Sequence, residues 1–129
     1  MVQSILGFDQ EVAMKLNLEI EELVVLDYIS RCFDSDDHET VALAGYEWVE
    51  IKPFDFLNDL PLLFVGRPNC QLESSRVSKI NHYLAVLTSY GCIESFEQPE
   101  STENGYVTHF YYRITEKAPR RVDGGEFQC

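Results

Sequence analysis

The sequence has no long apolar run. No stretch approaches the roughly 18 consecutive apolar residues that a membrane-spanning helix requires. The start, Met1-Val2-Gln3-Ser4, also lacks the basic region and long apolar segment that mark a secretory signal. We therefore expect an unsecreted, cytoplasmic protein with no membrane partner. Its 129 residues, 45% of them hydrophobic, suffice for one domain with its own core.

Closely spaced cysteines are also missing. The four present, Cys32, Cys70, Cys92 and Cys129, form no Cys-x-x-Cys pair and have no histidines at zinc-finger spacing. In the cytoplasm they are expected to be reduced thiols, with Cys92 a core residue because it lies in an apolar run. The acidic segment 34–39 lacks the alternating oxygen ligands, the glycine and the distal glutamate of a calcium loop, which favours a solvated loop. We expect no metal and no other cofactor.

Motifs for catalysis are absent as well. The chain has no Gly-rich phosphate loop, no nucleophile elbow and no His-Glu-x-x-His. The three histidines, His38, His82 and His109, fall in three different predicted elements, and the carboxylates show no spacing typical of an acid/base pair. The protein is therefore not expected to be an enzyme.

Positive charge is scarce. The 22 Asp and Glu residues outnumber 10 Lys and Arg residues, which gives a formal net charge of -12. This balance argues against nucleic acid, because DNA binding draws on cations that displace counterions from phosphates. The cations nevertheless concentrate in the second half of the chain, so the net charge alone does not decide the matter. They are Arg67, Arg76, Lys79, Arg113, Lys117, Arg120 and Arg121.

The first half of the chain predicts helices and one strand. Asp9 is a plausible N-cap for a short helix over 10–16. Apolar residues cover more than half of a helix over 19–33, which indicates a central helix packed on more than one side. Alternation over 46–51 predicts a strand, and the apolar spacing after Pro53 predicts a helix that ends at Pro61. The segment 62–72 then forms a connection, with an extra helical turn at 62–64.

The clearest pattern belongs to a helix from about Ser74 to Tyr90. Val77, Ile80, Leu84 and Leu87 lie within about a third of its circumference, and Gly91 supplies a left-handed C-cap. A strand over 92–96, a loose turn over 97–105 and a second strand over 106–115 follow. Helix, glycine, strand, turn and strand is the order of a recognition helix and its wing.

Four segments together resemble a known family. They are Tyr46–Val49, Leu57–Pro61, Leu84–Ile93 and Phe110–Lys117. The pattern is similar to that of the N-terminal winged-helix domain of replication-initiation (replisome-organiser) proteins from phages and plasmids of Gram-positive bacteria. In that family a strand ending in an aromatic-Trp-Val group leads to a helix closing on Leu-Pro, then to a recognition helix and a hairpin with an aromatic-rich strand. The resemblance covers roughly residues 8–117.

The resemblance implies an α+β fold, a winged helix-turn-helix with short N-terminal helices and a C-terminal β-hairpin wing. We expect this domain to occupy residues 1–117. The tail over 118–129 has a composition typical of disorder, and its end is a candidate cloning remnant. Tyr46, Trp48 and the strand residues 110–112 are expected to serve core packing rather than base stacking, because alternation and β-propensity already explain them.

The resemblance also implies duplex DNA as the partner, in replication initiation or transcription control. The candidate contacts are Ser75, Arg76, Ser78, Lys79 and His82 on the long helix and Arg113 on the last strand. An ordinary solvated helix face explains the same side chains without DNA.

The charge pattern leaves a second hypothesis open. Glu97, Glu100 and Glu103 fall at the predicted wing turn, where phosphate would repel them. The wing is therefore not expected to insert into a groove. The alternative function is an acidic winged-helix interaction module that does not bind DNA: a homodimer, a replisome or transcription adaptor, or a mimic of DNA.

Overall fold

The computed structural model describes residues 4–5, 8–64 and 73–119, which form an α+β structure. Within these residues there are four α-helices: α1 (Gln10–Lys15), α2 (Ile20–Cys32), α3 (Pro53–Asp59) and α4 (Glu73–Ser89). A 3-10 turn spans Pro61–Phe64. Strands β1 (Ser4–Ile5) and β2 (Phe8–Asp9) pair with each other, and β3 (Thr40–Leu43), β4 (Tyr46–Glu50), β5 (Ile93–Thr102) and β6 (Gly105–Ile114) form an antiparallel sheet in the order β3-β4-β6-β5. The expected α+β class is confirmed.

Local capping explains where the helices begin. The Asp9 carboxylate accepts hydrogen bonds from the backbone N–H groups of Glu11 and Val12, at 2.9 and 3.3 Å. These two N–H groups lie in the first turn of α1 and have no partner within the helix. At the start of α2, the Glu22 carboxylate accepts from the Glu19 N–H at 2.9 Å. Helix α3 starts with Pro53, whose fixed φ suits the first helical turn.

One core lies between the helices and the inner face of the sheet. Helix α2 packs against α4 and β6, and α4 also packs against α3 and β5. Most of the broad apolar surface predicted for the central helix is buried, although Ile20 at its start is 58% exposed. Each fully buried Leu, Ile or Val contributes about 1.5–3 kcal/mol. The most deeply buried side chains include Val25, Leu26 and Ile29 of α2, Phe56 of α3, Leu87 of α4, Val49 of β4 and Ile93 of β5.

The hairpin after α4 differs from the sequence prediction. We expected a loose turn over 97–105, but the ladder runs without interruption from Ile93↔Ile114 to Thr102↔Gly105. The prediction took Pro99 as a turn residue, yet β5 is an edge strand, where a missing N–H donor is tolerated. The hairpin is therefore long and closes through a tight turn.

Strand β3 was not predicted at all. It pairs with β4 from Thr40↔Val49 to Leu43↔Tyr46, and Ala44 and Gly45 between the strands both have positive φ. This backbone conformation matches the twist of a two-residue hairpin. The signal is weak in the sequence because Thr-Val-Ala-Leu is only four residues long and does not alternate in polarity.

Other expectations have clear outcomes at the ends of α4 and the chain. Gly91 has a φ of +76°, as predicted for the helix C-cap, and Cys92 is fully buried. Ala118 and Pro119 are buried, so the packed part of the chain reaches at least that far. Cys70, Cys129, Arg67, Arg120, Arg121 and most of the tail lie outside the described residues. Among the described helices, none is long and apolar enough to cross a membrane.

Candidate functional site

Helix α4 presents one side to the core and the opposite side to solvent. Ile80, Tyr83 and Leu87 are buried and fix the helix against the rest of the structure. At about 100° per residue these positions share one face, so positions half a turn away must point outward. The Leu87 carbonyl also accepts from Cys92 N–H at 2.9 Å, which ties the end of the helix to the following strand.

The outward side of α4, which we call the α4 outer face, consists of short, uncharged side chains. Its exposed members are Ser78, Asn81, His82, Ala85 and Ser89. Two of the predicted DNA contacts, Ser78 and His82, lie on it. Short side chains at these positions leave the helix backbone accessible, which suits close approach to another macromolecule.

The two cations of α4 lie at different positions around the helix: Lys79 is on its flank, whereas Arg76 precedes the buried Ile80 by four residues and lies on the buried side. The Arg76 guanidinium carbon is 5.6 Å from the centre of the Phe64 ring, and Lys79 Nζ is 5.7 Å from the centre of the Tyr83 ring. Both distances are typical of cation–π contacts. All three of the predicted contacts Ser75, Arg76 and Lys79 are half-buried: Ser75 and Lys79 border the α4 outer face, whereas Arg76 lies on the side of the helix that faces Phe64.

Arg113 is not brought together with the helix residues. It follows Tyr112, which is buried on the inner sheet face, and therefore points to the opposite side of the sheet. Its guanidinium pairs with the Glu94 carboxylate and lies 3.7 Å from the centre of the Tyr46 ring. The predicted DNA set thus divides into an α4 group and an isolated residue behind the sheet.

Carboxylates are nearly absent from the part of the sequence that contains α4. Between Asp59 and Glu94 the only acidic residue is Glu73, against Arg67, Arg76 and Lys79, a formal charge of +2 for residues 60–93. All other residues of the chain together carry a formal charge of -14, which with this +2 gives the total of -12. This contrast does not show when the two halves of the chain are compared, but it shows when carboxylates are counted by predicted element.

The hairpin β5–β6 is acidic and is tied to the rest of the sheet by His109. Nδ1 of His109 is 2.5 Å from the Glu50 carboxylate of β4, and Nε2 is 2.6 Å from the Glu100 carboxylate of β5. Ionised carboxylates only accept hydrogen bonds, so this arrangement favours the ring that carries a proton on both nitrogens. The hydrogen bonds from Glu50 and then Glu100 raise the pKa of His109 above its usual value.

A cleft of about 660 Å³ separates α4 from the hairpin. Val77 and Leu84 line its helix side, Phe110 lines its hairpin side, and Asn81 and Glu97 supply polar groups. Asn81, Ala85 and Ser89 of the α4 outer face also line this cleft, so Glu97 of β5 lies across it from that part of the face.

A group of titratable side chains, Tyr28, Cys32 and Asp59, lies between α2 and α3. The Tyr28 hydroxyl donates to the Asp59 carboxylate at 2.6 Å, and burial raises the pKa of the nearby Cys32 thiol to about 11. The thiol is therefore protonated at neutral pH and lacks the thiolate character of a nucleophile.

Across residues 4–5, 8–64 and 73–119, no group of three or more His, Cys, Asp or Glu side chains is arranged to hold a metal ion.

The interface candidate is the α4 outer face with Lys79 at its border. In comparisons with known proteins, no protein-family model, no curated protein and no solved structure matched the chain.

Proposed function

We propose that this chain is a winged-helix domain that binds duplex DNA through α4, in replication initiation or transcription control of a phage or plasmid. The order of elements supports the fold: α2, β4, α3, α4 and the hairpin β5–β6, with β6 between β4 and β5 in the sheet, and with β3 inserted between α2 and β4 as an additional edge strand. Helix, strand, two helices and a hairpin is the order of a winged helix, in which α3 and α4 form the helix-turn-helix and β5–β6 the wing. The residue pattern shared with phage and plasmid replication proteins agrees with this assignment.

The observation that carries the proposal is the charge of α4. From Ser74 to Ser89 the helix has no carboxylate, although the chain has 22, and both of its cations lie in its N-terminal half. Recognition helices make their base contacts mainly from that half. In this arrangement Ser78 and His82 meet base edges, and Arg76 and Lys79 meet phosphates.

The acidic hairpin makes the proposed binding dependent on the helix. Glu97 and Glu100 on β5 would be repelled by the phosphate backbone, so the wing stays off the duplex. With two phosphate contacts per domain, log K should fall with log[salt] at a slope of about -1.8. A single domain therefore binds weakly, and useful affinity requires two domains on one DNA or an additional binding segment.

The test is fluorescence anisotropy with labelled duplexes over a series of salt concentrations. Lys79→Gln should reduce the salt slope by about 0.9. Ser78→Glu, which places a carboxylate on the α4 outer face, should abolish binding, whereas Ser101→Glu on the hairpin is the matched control and should have little effect. The proposal fails if the wild-type protein binds no duplex at low salt, or if the two glutamate variants bind equally.

A second candidate function is an acidic protein-interaction module, as a homodimer, a replisome or transcription adaptor, or a DNA mimic. The acidic hairpin favours it, because its four glutamates, Glu94, Glu97, Glu100 and Glu103, outnumber its one arginine, Arg113. Light scattering of the free protein measures self-association directly. A dimer that binds no duplex at low salt would favour this second function over the first.

A further inference from the structure

The side of the sheet that faces away from the helices carries an apolar and aromatic surface. Register and alternation place its members on all four strands, opposite to the buried Val49 and Tyr112. We call this surface the outer sheet face. It comprises Val41, Leu43, Tyr46, Trp48, Phe96, Val107 and Tyr111.

The aromatic side chains of this face pack on one another. The Phe96 ring centre is 4.8 Å from those of both Trp48 and Tyr111, edge-to-face with the first and stacked with the second. This contact layer holds the rings in place across three strands. A rigid aromatic layer is a suitable base for docking because few rotamers need to be ordered on binding.

Much of this surface remains accessible. Leu43, Tyr46 and Val107 are 44%, 52% and 47% exposed, and the packing of α2 and α4 is on the inner side of the sheet. Large apolar patches bordered by polar groups mark interaction sites more often than ordinary surface.

Carboxylates border the patch and select the charge of its partner. Glu39, Glu50, Glu94 and Glu100 all project from this side, against the cations Arg113 and His109. Burial of the ring, and then the carboxylates of Glu50, Glu39 and Glu100, raise the pKa of Tyr111, which shows that its surroundings are negative. Phosphate and a second copy of the same acidic face are both disfavoured.

The structure also shows how this face holds a cation. The Arg113 guanidinium lies over the Tyr46 ring at 3.7 Å and pairs with Glu94 at its edge. This is the combination of aromatic face and carboxylate that binds guanidinium groups. Arg113 itself fills one such position. The exposed half of Tyr46 and the Glu39 carboxylate, which lies opposite Glu50 four residues along β4, remain for two separate contacts with a partner.

We propose that the outer sheet face docks a cationic, partly apolar segment of a partner protein. Its Arg or Lys side chains meet the bordering carboxylates, and its apolar side chains cover the aromatic layer. The face lies on the opposite side of the sheet from α4, so this docking does not depend on DNA binding.

The test uses Trp48, the only tryptophan in the chain, as a fluorescence probe within the face itself. The full chain is titrated with a short synthetic peptide of alternating Arg and Leu, and with one of alternating Arg and Ser of equal charge. The Arg-Leu peptide should shift Trp48 emission and bind at least about fivefold more tightly, the effect of roughly 1 kcal/mol from apolar contact.

Matched variants locate the binding. Tyr46→Ser should weaken the Arg-Leu peptide about fivefold and Glu39→Gln about two- to fivefold, as expected for an exposed cation–π contact and an exposed ion pair. Tyr106→Ser and Glu103→Gln make the same chemical changes on the inner side and at the turn of the hairpin, and both should leave binding unchanged. Thermal melts monitored by circular dichroism confirm that all four variants fold.

Four results would overturn the proposal. Equal binding of the Arg-Ser peptide, or equal weakening by the control variants, would show diffuse charge attraction only. A Trp48 shift that depends on protein concentration without peptide would assign the face to a second copy. A shift produced by duplex DNA would assign it to nucleic acid.

Discussion

Leu87→Ala tests whether the core holds α4 in the orientation that exposes its outer face. Leu87 is 0% exposed, and the substitution removes three carbon groups, worth about 2.4 kcal/mol at about 0.8 kcal/mol each. The remaining cavity raises the expected loss of unfolding free energy to about 3–4 kcal/mol. For a domain of this size the melting temperature should fall by about 10–15 °C.

Leu84→Ala is the matched control, since the same atoms are removed from a half-buried position at the edge of the cleft. It should lose about 1–2 kcal/mol, measured by urea unfolding under the same conditions. The orientation of α4 described above would be contradicted if Leu87→Ala lost less than about 1 kcal/mol, or if Leu84→Ala were the more damaging change.

Three further predictions concern single contacts. Asp9→Ala removes the α1 cap and should cost about 1 kcal/mol in urea unfolding, with Asp9→Asn close to wild type. Gly91→Ala should destabilise by about 1 kcal/mol or more, because φ is +76° and the new Cβ would lie 3.1 Å from Lys117 Cδ; an unchanged melting temperature would refute this. An NMR titration should place the pKa of His109 above 6.5, and Glu100→Gln should lower it. Because the pKa of the folded state is raised, the stabilisation from this ring is complete below the unfolded-state pKa of about 6.5 and is lost as pH rises through the folded-state pKa; His109→Gln should remove that pH dependence of unfolding.

The sequence could predict the helices because each has a strong local signal. Asp9 caps α1, Pro53 opens α3, and Gly91 ends the α4 region, so backbone chemistry marks the boundaries without tertiary information. The apolar spacing of α4 likewise identified its buried side, which Ile80 and Leu87 occupy. These features depend on neighbours in the sequence and are therefore readable from it.

Features set by long-range pairing could not be read in the same way. Strand β5 continues through Pro99 because β6 supplies a partner along its full length, which local turn signals do not report. Trp48 and Tyr46 were expected in the core, but the register with β6 places them on the outer sheet face. Arg113 was grouped with the DNA contacts from its charge alone, while strand alternation directs it away from α4.

The charge contrast between α4 and the rest of the chain was present in the sequence and could have been found there. A total of -12 conceals a segment over 60–93 that is positive. For an acidic protein, the charge of each predicted element is more informative than the net charge, because an interface depends on the local field.

The most direct test of the central claim is a two-dimensional NMR titration of the folded protein with duplex DNA at low salt. The proposed function predicts amide shifts concentrated at Ser78, Lys79 and His82 in α4, with little change along β5 from Glu97 to Glu100. Shifts confined to the hairpin or to the outer sheet face, or no shifts at any DNA concentration, would contradict it.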